Sequence, residues 1–151
     1  MPHSPAKTPS RDELLRIYAK PRTIAVVGAS DTAGKPAHDI PLYLKSQGYR
    51  IIPVNPRGGV ILGERAFASL RDVDVPINIV EVFRPPEEAE TVAREAVAVG
   101  ATVLWFQPDT ESDEAVRAVA NKDIVVVTGR CMGVTHGLLG LGPGPHPRRD
   151  R

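Results

Sequence analysis

Two residue patterns in this chain are able to do chemistry. The first recurs where apolar runs end. Ile24 to Val27 passes into Gly28-Ala29-Ser30, with Lys35 a few residues further on. Small residues after such a run permit a tight turn, so the amides of Ala29 and Ser30 can face a phosphate while Lys35 adds charge. This is not the dinucleotide fingerprint G-x-G-x-x-G, because Ser30 stands where the second glycine belongs. The plainer alternative is that Gly28 and Ala29 only let a strand and a helix pack closely. The next run, Ile51 to Val54, passes into Asn55-Pro56-Arg57. Enzymes that use NAD carry an acid about twenty residues past their glycines, to hold the ribose 2′-hydroxyl. Here no acid is present, and Arg57 favours a phosphorylated ribose, as in NADP or coenzyme A. The alternative for Arg57 is a solvated loop charge.

The second pattern is Cys131 with His136. A thiol and an imidazole raise the idea of a nucleophile and its base, with an acyl group as cargo and His38 recruited to the same end of a sheet. Neither Asp nor Glu stands nearby to orient the base, and a cysteine after a strand also serves as a small apolar residue. One Cys and one His fall short of the four ligands of a structural zinc site. Asp109, Glu111, Asp113 and Glu114 form an acidic cluster suited to a helix N-terminus.

These residues need elements to position them. Ser10-Arg11-Asp12-Glu13 is a capping box opening a helix with a stripe of Leu14, Leu15 and Tyr18, ended by Pro21. Continuous apolar, β-branched runs at 24–27, 51–54, 77–83, 102–106 and 124–127 read as strands covered on both faces. A further short strand is expected at 60–62 and a helical turn near Leu70. Helices are expected up to Gly48, over 86–99 and over 112–120. Pro41 requires the first of these to start close to His38 or Asp39, or to be kinked. Strands alternating with helices of this length make right-handed β-α-β units and a parallel sheet. The expected fold is α/β: one doubly wound domain over residues 10–140, five to six mainly parallel strands, helices on both faces. Segments 1–9 and 142–151, rich in Pro, Gly and charge, are expected to be flexible tails.

Composition excludes several classes. A chain of 151 residues with 42% hydrophobic and 25% charged residues is an ordinary single-domain globular protein. A net charge of +1 and scattered aromatics give no nucleic-acid surface. No apolar run reaches the ~20 residues of a membrane span. The lone cysteine rules out an internal disulfide, and a cytoplasmic protein, monomeric or a small homo-oligomer, is expected. Trp105, inside an apolar run, is expected in the core near the ligand groove.

In order along the chain fall IAVVGAS, KPAH, YLKSQGY, IIPVNPRG, Gly63-Glu64 before Ala68-Ser69-Leu70, VFRPPEE, GATVLWFQ and GRCMGVTH. Together, from about Arg22 to Leu139, they resemble the small single-domain CoA-binding proteins. Those are similar to the N-terminal CoA-binding domain of the succinyl-CoA synthetase α subunit. The resemblance implies a Rossmann-like domain holding coenzyme A or acyl-CoA in an extended groove across the strand ends. It implies that Gly28, Ala29, Ser30 and Lys35, with Pro36 and His38, lie along the nucleotide phosphates. Asn55, Pro56 and Arg57 would meet the phosphorylated adenosine, and Val82, Phe83 and Arg84 would line the groove. The chain departs from the family in having Lys35 for Arg, Gly129 for the Asp of Asp-Arg-Cys, and Thr135 for the Glu before His136. The synthetase's phosphorylated histidine belongs to another domain, so its activity does not transfer. The expected function is binding without catalysis, as carrier, sensor or partner module. An NADP-binding redox or sensor domain and acyl transfer through Cys131 are the alternatives.

Overall fold

The capping box at Ser10 forms in both directions. Glu13 N–H donates to Ser10 Oγ at 3.1 Å, and Ser10 N–H donates to Glu13 Oε1 at 2.8 Å. This starts helix α1, Arg11–Tyr18, in a computed structural model that describes residues 9–19 and 22–143. Pro21 and nearly all of the expected tails lie outside the described residues. Helix α1 buries Leu14, Ile17 and Tyr18, whereas Leu15 is only half-buried.

Strand β1, Thr23–Val27, leads into helix α2, Pro36–Ser46, and strand β2, Arg50–Val54. The hairpin of β3, Val60–Ile61, and β4, Glu64–Arg65, turns on Leu62 and Gly63, both at positive φ, as a two-residue hairpin loop requires. A single 3-10 turn follows at Leu70–Asp72. Strand β5, Ile79–Val82, is followed by a 3-10 turn at Pro86–Glu88 and helix α3, Ala89–Ala98. The chain then runs through β6, Val103–Phe106, α4, Asp113–Ala118, β7, Val125–Val127, and α5, Met132–Leu138.

The five long strands form one parallel sheet in the order β2-β1-β5-β6-β7. Strand order reverses at β1, so the crevice between the ends of β1 and β5 is the topological switch point. On one face Ile24, Val26, Ile79 and Trp105 pack against α1, α2 and α5. On the other Ala25, Val80, Leu104 and Phe106 pack against α3 and α4. The buried side of α3 is mostly alanine (Ala89, Ala93, Ala96), which lets its axis lie close to the sheet.

Two helices differ from the sequence expectation. Helix α2 begins at Pro36, so Pro41 falls inside it rather than in its first turn. A proline there removes the donor that would meet the Ala37 carbonyl. The fold supplies another: Ser30 N–H donates to Ala37 O at 3.1 Å. Helix α5 has no counterpart in the sequence expectation, and it contains Gly133 and Gly137, which disfavour a helix. Packing explains the first. A Cβ on Gly133 would stand 3.1 Å from Ile40 Cγ2, and one on Gly137 would stand 3.7 Å from the Tyr43 hydroxyl. Gly133 thus lets α5 approach α2, whereas a Cβ at Gly137 would make only an ordinary contact. No helix among the described residues is long and apolar enough to cross a membrane.

Glu81 sits mid-sheet, between Val26 and Trp105 in register, with no exposed surface. Neither carboxyl oxygen has a hydrogen-bond partner among the described residues. Burial pushes its pKa up to about 8 from 4.5. The unfolded chain releases this proton near 4.5 while the fold keeps it to about 8. The folded state therefore binds more protons in that window, so stability falls as pH rises through it and levels off above. Glu81→Gln should remove this slope. Denaturant unfolding across the window should show the wild type losing on the order of a few kcal/mol relative to the variant. Parallel profiles would refute the assignment.

Candidate functional site

Gly28 is where three strand ends meet. Its N–H donates to Val54 O at 2.9 Å, and Phe83 N–H donates to Val27 O at 2.9 Å. With φ at +92°, Gly28 turns the chain in a way L side chains rarely allow. A Cβ there would lie 2.8 Å from Arg84 Cδ and 3.3 Å from the Phe83 carbonyl carbon. The Arg84 stem thus lies directly over Gly28.

Beside this junction is a cavity of about 320 Å³. Its floor is Val27, Gly28 and Val54; Pro56 and the segment Ala68 to Leu70 form one wall. Arg84 and the first turns of α3, with Glu87, Glu88, Thr91, Val92 and Glu95, form the other. The segment reaches the cavity because Phe67 extends the sheet next to β2: Phe67 N–H donates to Pro53 O, and Asn55 N–H to Phe67 O. The volume lies at the small end of the about 300–1,000 Å³ usual for ligand pockets. It suits a group of about nucleoside size.

Apart from Asn55 and Arg57, the expected site residues divide into three groups. Gly28, Pro56 and Arg84 line the cavity. Ala29, Ser30, Lys35, Pro36 and His38 form the adjoining loop and the start of α2. Val82 does neither; as the last residue of the central strand β5 it is buried under α3. Phe83 is half-buried and packs against the opposite core layer.

Within the loop, the Ser30 amide is engaged by Ala37 and so does not face outward as expected. Ser30 Oγ instead accepts from Thr32 N–H at 3.0 Å. The amides of Ala29 and Ala37 have no partner among the described residues. Asp39 braces the loop: its Oδ1 accepts from Gly34 N–H at 3.1 Å and meets His38 Nδ1 at 2.7 Å. The His38 hydrogen bond, followed by the Gly34 amide, holds the Asp39 carboxyl below the usual range. Asn55 also has an internal role. Its Nδ2 donates to Ala29 O at 2.9 Å and its Oδ1 accepts from Arg57 N–H at 2.8 Å, tying the second strand end to the first. Arg57 itself is exposed.

Arg84 is held by Glu88 through two bonds, Nε to Oε1 at 3.0 Å and Nη2 to Oε2 at 2.7 Å. That pairing raises the Arg84 pKa and lowers that of Glu88. The sequence reading missed Ser69, Glu88, Thr91 and Glu95. The motifs around them, Ala68-Ser69-Leu70 and RPPEE, were visible, but nothing in them said which wall they form.

After β7, Cys131 is the N-cap of α5 and half-buried. Its neighbours are pinned by β6: Trp105 Nε1 donates to Arg130 O at 2.8 Å, and Gln107 Oε1 accepts from Met132 N–H at 2.9 Å. Trp105 is fully buried, in the core as expected. His136 is likewise a core residue. Its ring is buried edge-on among Tyr18, Tyr43 and Tyr49, and Nδ1 shares a 2.8 Å hydrogen bond with the Tyr43 hydroxyl. Asp113 and Glu114 occupy the first turn of α4 behind the Ser112 cap.

A parallel, doubly wound sheet with a cavity and cationic side chains at its switch point is the architecture of nucleotide-binding domains. The chain belongs to the CoA binding domain family, whose model matches residues 22–137. It is 37% identical over 130 residues to the uncharacterized protein YneT of Bacillus subtilis, covering 86% of this chain and 96% of that one. It is 26% identical over 140 residues to an ADP-forming acetate–CoA ligase of Methanocaldococcus jannaschii, spanning 87% of this chain but 20% of the ligase. Among solved structures, a Thermus thermophilus protein designated cell-free ID.343 matches with a TM-score of 0.81 and 40% identity. That match covers 85% of this chain and 97% of the other.

Gly28→Ala should destabilise the fold by about 1–3 kcal/mol, since it adds a side chain at positive φ against Phe83 and Arg84. A drop in urea midpoint at unchanged slope would report it. An unchanged midpoint would contradict the close approach described here.

Proposed function

We propose that this chain binds coenzyme A or acyl-CoA along the switch-point groove, performs no chemistry of its own, and acts as a carrier, sensor or partner module. The observation that carries the reading is the end of β2. The position suited to an NAD-selecting acid is held by Asn55, whose side chain is engaged in tying two loops together, and the neighbouring Arg57 is exposed and cationic. That charge favours a phosphorylated ribose. Membership of the CoA binding domain family favours coenzyme A over NADP. On this reading the adenosine fills the cavity beside Pro56. The phosphates pass over Gly28 towards Lys35 and the amides of Ala29 and Ala37. The pantetheine arm then runs across the ends of β5 and β6.

The absence of catalysis is part of the proposal, and the His136 environment supports it. An imidazole enclosed by three tyrosine rings and bonded to Tyr43 serves packing, which argues against His136 as a base for Cys131.

Calorimetry with coenzyme A, acetyl-CoA, NAD and NADP tests the ligand class. Coenzyme A or its acetyl ester should bind most tightly; tight NADP binding without coenzyme A binding overturns the reading. Arg57→Ala should weaken coenzyme A roughly tenfold, as expected for a charge-assisted contact, and 3′-dephospho-CoA much less. Equal losses for the two ligands would remove Arg57 from the ribose phosphate.

A further inference from the structure

The Arg84–Glu88 pair bears on how such a ligand is admitted. Arg84 leaves the end of β5, lays its stem across Gly28, and delivers its guanidinium to Glu88 at the start of α3. It therefore spans the switch-point crevice from the turn after β1 to the cavity's far wall, and both partners line that cavity. Glu88 uses both carboxylate oxygens on one planar fork. A phosphate engages a guanidinium through the same two-pronged geometry, so the two acceptors are mutually exclusive on that edge. The side chains of Arg84 and Glu88 are 42% and 46% exposed, so solvent screens the pair and a stronger anion displaces the carboxylate readily. The neighbouring acid, Glu87, lines the same cavity but makes no ion pair among the described residues.

We propose that Glu88 is a built-in competitor for the phosphate site: it holds Arg84 across the groove and yields it to the pyrophosphate of coenzyme A. Arg84 is then a phosphate-binding residue and not merely groove lining, and Glu88 sets how strong an anion is needed to claim it. A ligand lacking a pyrophosphate cannot make the exchange and finds the guanidinium already paired. The inference rests on the coenzyme A reading above.

The test titrates the full chain with coenzyme A and 3′-dephospho-CoA, which share the pyrophosphate and differ in the ribose phosphate. Glu88→Gln should tighten both by about two- to fivefold, the range expected for freeing a surface pair. Glu87→Gln, which removes an equal charge from the same wall, should change neither by as much. Adding Arg84→Met to Glu88→Gln should abolish the gain. Binding by Glu88→Gln equal to wild type overturns the competitor, as does an equal gain in Glu87→Gln or a gain that survives Arg84→Met. A gain confined to coenzyme A would move Arg84 to the ribose phosphate and overturn the pyrophosphate assignment. Wild type and variants that bind neither ligand would instead refute the coenzyme A reading itself, and the competitor with it.

Discussion

The close approach of backbone at Gly28 is the constraint on which the rest of the site depends. A parallel sheet whose strand order reverses at β1 must split its connections to opposite faces, leaving a crevice between the ends of β1 and β5. Here the crevice is narrow: the Gly28 amide reaches Val54, the Phe83 amide reaches Val27, and the Arg84 stem crosses the space a Cβ would fill. A side chain at position 28 would push β5's exit away from β1. The cavity, the position of Arg84 and its reach to Glu88 follow from that one contact.

The loop after β1 is shaped mainly by the protein itself. Pro41 deprives the Ala37 carbonyl of its helical donor, and the Ser30 amide fills the gap. Asp39 gathers Gly34 and His38, and Asn55 fastens Ala29 from the neighbouring strand end. A polar group already satisfied internally offers a ligand less than a free one, because the old bond must be exchanged for the new. The recognition capacity of this loop therefore lies in its remaining amides and in the cations around it. The departure from the dinucleotide fingerprint has a physical meaning here: Ser30 serves the fold with both its amide and its hydroxyl.

The layer beneath α1, α2 and α5 shows how polar groups are buried at opposite extremes. Tyr18, Tyr49 and Tyr43 each place a hydroxyl on a defined partner, on Met132 O, Tyr18 O and His136 Nδ1 respectively. Glu81, on the same face of the sheet as Val26 and Trp105, has no hydrogen-bond partner among the described residues and adapts by keeping its proton. Burying a hydroxyl with a partner costs little, whereas burying a carboxylate without one is expensive enough to change the group's charge state.

Much of the architecture was legible from local pattern. Continuous β-branched runs marked the five parallel strands, the capping box marked α1, and acids after Pro86 marked the start of α3. Strand ends shifted by a residue or two, as with β5, which runs only from Ile79 to Val82. The residues following each strand were read as the site's location, and a cavity does open at the ends of β1, β2 and β5, because in a doubly wound sheet the connections at that edge have nowhere else to lie. Other features had no local signal. Nothing in the sequence around Gly133 and Gly137 announced helix α5, and the idea of His136 as a base could be weighed only once its tyrosine enclosure is seen. Val82 read as groove lining until its side chain is seen under α3.

Sequence alone therefore settled the order of the parallel strands and of the helices between them, the class of fold and the kind of charge available at each strand end. These follow from periodicity and residue type, which act over a few neighbours along the chain. Tertiary structure alone decided which of those strand-end residues face a common cavity and that Glu88 and Ser69 join them. It also decided that Ser30 and Asn55 are engaged internally and that Glu81 is buried with no hydrogen-bond partner among the described residues. These depend on distances between segments remote in sequence, set by packing two helical layers onto one sheet.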